Sequence, residues 1–478
     1  MNSIKPSNYS GAEPTFVRLN PLTGEVASSA QAMSPADAVA IADKAHAAFA
    51  SWSQTGPNLR RQLLLKAADS LLARKDDLIR LMQNEIGATS SWAGFNVVLA
   101  ASMAREAASL TTQIVGETIP SDKPGCLAMT VREPVGVCLG IAPWNAPVIL
   151  GVRAIATALA CGNTVVLKAS EKCPATHQLL VECFQSAGFP ADVINVVTNA
   201  PEDGPDVVNI LIDHPAVLRI NFTGSTPVGK AVAKRAAEHL KPVLLELGGK
   251  APLLVLDDAN LDEAVAAAAF GAFFNQGQIC MSTERIIVVE EIAEAFLTKF
   301  REKVATLVAG DPVVGKAPLG AMIGQEAIDK VQALIADAVS KGAEKVVGGH
   351  SEGVLMSATV IDKVTKDMNL YGEESFGPVV AILRAKNEDH AVELANDSEF
   401  GLSASIFTRD AARGLRLSRR IRSGICHING PTVHDEAQMP FGGVKSSGYG
   451  KFGGKSGVAE FTELRWITIE TQPGHYPI

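Results

Sequence analysis

Val217-Leu218-Arg219-Ile220-Asn221-Phe222-Thr223-Gly224-Ser225-Thr226 passes from an apolar, β-branched run into a turn that opens a helical segment, 227–239. A second apolar run, 242–245, follows at once and ends in Glu246-Leu247-Gly248-Gly249-Lys250. Strands separated by a helix of this length predict a βαβ unit with parallel strands. Toward the N-terminus the same alternation continues, with runs 163–167 and 193–197 on either side of a helical segment at 174–187. Residues 135–256 are therefore expected to form a Rossmann-type parallel sheet with helices on its faces.

The second half repeats the style without any internal sequence repeat. A helix at 261–274, a strand at 285–289, a helix at 292–308 and strands at 379–383, 403–407 and 424–428 predict a second α/β domain. Glycines interrupt the pattern at Leu247-Gly248-Gly249, where the boundary is expected. The N-terminal part opens with a turn at Asn20-Pro21-Leu22-Thr23-Gly24. A helix capped by Ser34 with Pro35 in its first turn comes next, then long amphipathic patterns at 58–84 and 96–114. Residues 119–133 fit neither sheet and read as a projecting hairpin. With 460–469 they could build an added β element whose edges are best buried against another subunit.

Bulk properties narrow the function. A chain of 478 residues exceeds the roughly 250–300 at which a single core stops growing, so two or three domains are expected. The net charge of -8 opposes binding to nucleic acid or an anionic bilayer and favours small-molecule chemistry. Seven scattered cysteines without a C-x-x-C pair suit free thiols in a reducing compartment. Residues 1–11 show neither a secretory nor a transit pattern, which together with the thiols predicts a cytoplasmic location. The uncharged stretch 135–152 is long enough to suggest a membrane span. Pro143, Asn145 and Pro147 break it, so a buried strand and turn are expected instead.

Three polar or glycine signals fall where predicted strands end: Lys168-Ala169-Ser170-Glu171, Phe222-Thr223-Gly224-Ser225-Thr226 and Glu246-Leu247-Gly248-Gly249-Lys250. Each alone is as readily a plain strand-to-helix turn. Together they outline a crevice, because ligands of open parallel sheets bind outside the carboxyl ends of the strands. Gly224-Ser225 also opens a helix, whose N-terminus suits a pyrophosphate. Gly448-Tyr449-Gly450-Lys451-Phe452-Gly453 spells G-x-G-x-x-G, but it follows no clear strand and has no acidic residue about 20 positions on, so it is not read as a dinucleotide fingerprint. The histidines show no metal-ligand spacing, and no metal is expected.

Cys280 sits in Phe274-Asn275-Gln276-Gly277-Gln278-Ile279-Cys280, just after an alanine-rich helix is broken by Gly277. Most cysteines are inert small hydrophobes, and composition does not single this one out. Its motif does. This run, with Glu246 to Lys250, Pro143-Trp144-Asn145, Glu373-Glu374-Ser375-Phe376-Gly377-Pro378-Val379 and Pro440-Phe441-Gly442-Gly443-Val444-Lys445, resembles the aldehyde dehydrogenase superfamily in order and spacing over nearly the whole chain. The resemblance implies an NAD-binding domain of residues 1–118 and 139–246, a catalytic domain of 247–458, and an oligomerisation arm of 119–138 and 459–478, in a homodimer or homotetramer.

It also implies the chemistry. Cys280 looks like the nucleophile that forms a thiohemiacetal and then a thioester, Asn145 like the oxyanion donor, and Glu246 like the base that activates water. Ile141, Trp144, Lys168, Glu171, Gly224, Ser225, Gly229, Leu247, Glu374 and Phe376 match cofactor-binding positions. Among them Lys168 and Glu171 hold the adenosine ribose, and Glu171 favours NAD over NADP by repelling a 2′-phosphate. Ser375 departs from the apolar residue usual beside Glu374. A closer similarity, carried by residues 424–438 and by Trp92-Ala93-Gly94-Phe95-Asn96, points to the branch that oxidises salicylaldehyde and vanillin. Trp92, Phe95, Arg153, Ile279, Met281 and Phe441 are the expected substrate pocket, with Arg153 expected to attract a ring hydroxyl or phenolate. Glu246 argues against a CoA-acylating relative, and the presence of Cys280, Asn145 and Glu246 together argues against a catalytically silent one. An aliphatic or broad specificity stays open.

Overall fold

The computed structural model describes residues 14–474 and 476–478, so residues 1–11, read above for targeting signals, lie outside the described residues. The opening stretch folds as strand Val217–Thr223, helix Thr226–Glu238 and strand Val243–Glu246. The two strands pair in parallel, with Ile220 opposite Val243 and Thr223 opposite Glu246. They belong to a six-stranded sheet in the order Gly448–Tyr449, Val243–Glu246, Val217–Thr223, Val137–Ile141, Thr164–Lys168, Ile194–Val197. Only Gly448–Tyr449 runs antiparallel to its neighbour, which places the G-x-G-x-x-G sequence at a sheet edge rather than at the start of a βαβ unit.

Both faces of this sheet are covered, and the side-chain period of two shows it. Val137, Leu139 and Ile141 join an apolar cluster with Val166, Val207 and Leu211, while Cys138 joins Val165, Leu167 and Leu180 on the other face. The chain runs outward from Val137–Ile141 to Ile194–Val197 and then returns on the opposite side as Val217–Thr223. Strand order therefore reverses at Val137–Ile141, and a crevice opens outside its carboxyl end.

Glu246 ends a strand of this first sheet, and Ala251 begins strand Ala251–Val255 in the interior of a second. That sheet has seven strands in the order Glu344–Val347, Thr359–Asp362, Val379–Ala385, Thr283–Val289, Ala251–Val255, Ser405–Phe407, His427–Ile428, all parallel except the first. A third, antiparallel sheet joins Thr118–Ile119, Cys126–Pro134 and Thr462–Glu470, the last two in register from Pro134 opposite Thr462 to Cys126 opposite Glu470.

Two helical boundaries differ from expectation. The pattern at 58–84 is two helices, Pro57–Ala73 and Lys75–Ile86, separated at Arg74 (φ -99°, ψ 18°). Its period survives the break because Leu64, Leu71, Leu78 and Met82 all enter one core cluster. The pattern at 96–114 begins earlier, as Ser90–Leu110, where the Thr89 hydroxyl accepts the Trp92 N–H at 3.3 Å. Residues 135–152 form strand Val137–Ile141, a loop and the start of helix Pro147–Ala160. Among the described residues no helix is long and apolar enough to cross a membrane.

Candidate active site

Cys280 is presented by a turn that leaves helix Leu261–Phe273 through three successive left-handed residues, Asn275 (φ 50°), Gln276 (φ 56°) and Gly277 (φ 69°). Such a run is costly for side-chain-bearing residues and persists only where neighbours hold it. Here side-chain amides do so. Asn275 donates to the Asn145 carbonyl at 3.2 Å, Gln276 to the Ala321 carbonyl at 3.0 Å, and Gln278 accepts the Ile323 N–H at 3.0 Å. Gly277 is required twice over, because a Cβ there would stand 2.2 Å from the Gly377 carbonyl oxygen.

The two glycines after Glu246 have equally local causes. A Cβ on Gly249 would lie 2.2 Å from the Cys280 carbonyl oxygen, and one on Gly248 would lie 2.9 Å from the Glu374 carboxylate. The Gly249 N–H donates to that carboxylate at 2.8 Å. Residues 247–250 thus run between Cys280 and Glu374, and any side chain on either glycine would push one of them away.

Glu246 is fully buried, and neither carboxyl oxygen has a hydrogen-bond partner among the described residues. Burial pushes its pKa up to about 8, against the opposing pull of Arg153; Cys280 is close enough to bias the titration without closing a bond of ordinary geometry. The Cys280 thiol, partly exposed toward a cavity, is also raised, by burial first and then by Glu246. Asn145 donates through Nδ2 to the Gln278 carbonyl at 2.9 Å, which leaves its second N–H for the cavity it lines. The Cys280 backbone N–H meets no backbone acceptor among the described residues.

That cavity measures about 280 Å³, and Trp92, Phe95, Arg153, Ile279, Met281 and Phe441 all line it together with Cys280 and Asn145. Trp92 is fixed by its indole N–H, which reaches the Asn145 carbonyl at 2.9 Å. Sequence reasoning missed further walls, Phe270, Phe274 and Asp435 among them. Phe274 packs edge-on against Trp92 at 5.0 Å and stacks on Phe270 at 4.7 Å. Asp435 forms a buried ion pair with Arg153, whose guanidinium lies 4.0 Å from the Phe441 ring centre. Phe270 and Phe274 carried a signal, being aromatic on the helix and turn leading to Cys280. For the pairing of Asp435 with a residue 282 positions away there was none.

On the other side of the Glu246 strand end, a crevice of about 880 Å³ is lined by Ile141, Lys168, Glu171 and Gly224. It shares Arg18 and Lys172 with a second space of about 560 Å³ that Trp144 and Phe376 line. Lys168 pairs with Glu171, whose carboxyl is pulled below its usual range despite burial, through the Lys168 charge and hydrogen bonds. Ser225 is the exposed N-cap of helix Thr226–Glu238 and among the described residues makes no side-chain capping bond, so the Thr226 and Val228 N–H groups of the first turn stay available. Burial pushes Glu374 up to about 7, with Glu284 adding to the rise. Ser225, Gly229, Leu247 and Glu374 lie outside the lining of both spaces; Gly229 and Leu247 pack on each other, since a Cβ on Gly229 would meet Leu247 Cδ2 at 2.4 Å. Lys330, which donates to the Glu374 carbonyl at 2.6 Å, was not expected here, and neither were Arg18 and Lys172. A dinucleotide fits this donor set: a paired carboxylate for ribose hydroxyls, an uncapped helix start for phosphates and a second carboxylate further along.

The fold and the site define a cysteine-nucleophile oxidoreductase built around a dinucleotide crevice. The chain belongs to the aldehyde dehydrogenase family, whose model matches residues 9–467, and this family uses NAD(P). It is 59% identical to a vanillin dehydrogenase of Pseudomonas fluorescens over 464 residues, 97% of this chain and 96% of that protein. It is 50% identical to a salicylaldehyde dehydrogenase of Pseudomonas putida over 98% of this chain and 97% of that one. Among solved structures, a Pseudomonas putida salicylaldehyde dehydrogenase complexed with salicylaldehyde superposes with a TM-score of 0.96 at 49% identity, covering 97% of this chain and 96% of that one.

Proposed function

We propose that the chain oxidises aromatic aldehydes, hydroxybenzaldehydes foremost, to carboxylic acids with NAD as the electron acceptor. The observation that carries this is a single 280 Å³ cavity in which Cys280 and Asn145 face aromatic walls, with the unpartnered Glu246 carboxyl beside the thiol. The named activities of the vanillin and salicylaldehyde relatives support the substrate class.

An aldehyde has no leaving group, so its carbonyl carbon must first become tetrahedral. Cys280 supplies the bond, its proton passing to Glu246 in the ionised form and on to solvent so that the carboxylate is free again for the later step, and the free N–H of Asn145 with the Cys280 backbone N–H receives the oxyanion. The bound dinucleotide supplies the electron acceptor. The acyl group then rests on Cys280 as a thioester, and Glu246, above its pKa of about 8 or transiently ionised below it, takes a proton from the attacking water. Lys168 and Glu171 hold the adenosine ribose, Ser225 and its helix a phosphate, and Glu374 with Lys330 the second ribose. Glu171 disfavours a 2′-phosphate, which makes NAD the better cofactor.

This reading keeps residues 1–118 and 139–246 as the cofactor domain, 247–458 as the catalytic domain and 119–138 with 459–478 as an oligomerisation arm, in a cytoplasmic homodimer or homotetramer. The test is a panel of salicylaldehyde, vanillin, benzaldehyde and a straight-chain aldehyde, with kcat/KM measured by the absorbance of the reduced cofactor. Ring aldehydes are expected to lead by at least about tenfold, and Cys280→Ser to abolish turnover. Equal efficiency on the straight-chain aldehyde sinks the substrate class, and an active Cys280→Ser sinks the mechanism.

A further inference from the structure

The Glu171 carboxylate is held from one side. Its Oε1 pairs with Lys168 and also accepts the Asn199 Nδ2–H at 3.0 Å. Asn199 lies just past strand Ile194–Val197, is 1% exposed, and spends its other N–H on the Ala200 carbonyl at 2.7 Å. Gly204 closes the same corner at the start of helix Gly204–Asp213, where a Cβ would stand 3.1 Å from Glu171 Oε1 and 3.5 Å from Asn199 Nδ2. Glu171 nevertheless lines the crevice, with 24% of its side chain exposed.

With its donors gathered on Oε1, the carboxylate keeps its second oxygen for the crevice. A ribose diol can donate to that oxygen, whereas a 2′-phosphate brings charge of the same sign against it. Repulsion discriminates only while the carboxylate stays in place, since a glutamate free to turn about its side-chain bonds relieves the clash by leaving. Lys168 alone does not prevent this, because its long side chain can follow. Asn199 is short, buried and tied to the backbone of Ala200.

We propose that Asn199 is a positioning residue that pins Glu171 at the edge of the crevice, so that discrimination between NAD and NADP depends on the Asn199 amide. The proposal rests on the reading of Glu171 as the ribose site.

The test compares Asn199→Leu, which keeps volume but removes the donor, with Gly204→Ala, which crowds Oε1 and the Asn199 amide at the same corner, and with Glu171→Gln. Dissociation constants for NAD and NADP are measured by tryptophan fluorescence without aldehyde, alongside the KM for each cofactor. For Asn199→Leu the NADP-to-NAD ratio of dissociation constants is expected to fall by about tenfold, mainly through tighter NADP binding, and the KM ratio to fall with it. Gly204→Ala moves the ratio the same way and carries the test if Asn199→Leu does not fold. An unmoved ratio in both variants, or equal weakening of both cofactors, overturns the proposal when Glu171→Gln does relax discrimination. If Glu171→Gln leaves the ratio unmoved too, the ribose reading has failed, and the proposal with it.

Discussion

Glu246 is a carboxyl that the fold keeps protonated through neutral pH, and its pH dependence follows from the sign of that shift. The folded pKa of about 8 lies above the unfolded value, so the native state holds one more proton over the interval between them. The favourable contribution of this group is complete below the unfolded pKa and drains away as pH climbs through about 8. Glu246→Gln removes the ionisation while keeping the shape. Its thermal midpoint is expected to exceed the parent's at about pH 9 and to converge on it toward about pH 4. The same variant should accumulate acyl-enzyme, visible by mass spectrometry, because thioester hydrolysis has lost its base. Arg153 is a second case where a partner changes the reading. Its charge is already matched by Asp435, with 6% and 8% of the two side chains exposed, so attraction of a phenolate is weaker than an isolated arginine would give. Arg153→Ala strands a buried carboxylate and should cost about 3–5 kcal/mol in denaturant titration. Removing Asp435 as well should recover much of that loss, and an additive double variant would show that the pair is not coupled. Ser375 is explained by the same kind of accounting: its hydroxyl accepts from Lys250 at 3.0 Å and its N–H donates to Glu284 at 2.7 Å, completing a buried ion pair that an apolar residue would leave less satisfied.

At the scale of elements, the packing of helix Thr226–Glu238 against residue 247 sets where the phosphate site lies relative to Glu246. Gly229→Ala puts a Cβ 2.4 Å from Leu247 Cδ2, so the buried Leu247 side chain must turn or the helix start must give. A stability loss of about 1–3 kcal/mol and a several-fold weaker NAD dissociation constant are expected, and unchanged NAD binding would separate helix position from cofactor affinity. Elements of this kind were legible because their causes are local. Val217–Thr223, Thr226–Glu238 and Val243–Glu246 each follow from period and turn chemistry within a few residues of where they were expected. The break at Arg74 was not, since no glycine or proline marks it and the apolar period runs through it unbroken. The site divides in the same way. Cys280, Asn145 and Glu246 sit in contiguous motifs, whereas Asn199 and Lys330 reach the site only because distant segments meet there; Asp435 lies in the stretch 424–438 that carried the closer similarity, but nothing in it records the pairing with Arg153.

In the molecule as a whole, two covered parallel sheets meet at residues 247–250, and the third sheet stands apart from both cores. Its strand Thr462–Glu470 is nine residues long and among the described residues pairs on one side only, with Cys126–Pro134. An open edge of that length is a template for another chain unless charge, bulges or a covering element blunt it. Charge is present at Glu463 and Arg465, yet Leu464 and Trp466, which share a face two residues apart, are 56% and 74% exposed. A tryptophan so exposed on an unpaired edge is costly to leave in water and is the kind of anchor that subunit interfaces bury. The parent chain is therefore expected to sediment as a dimer or larger, and Leu464→Asp with Trp466→Asp to shift it toward monomer. Because neither residue enters a core cluster or lines the cavity or crevices described above, the double variant should keep its thermal unfolding cooperative. A parent that sediments as a monomer at micromolar concentration, or a double variant that assembles as the parent does, removes the arm from the interface.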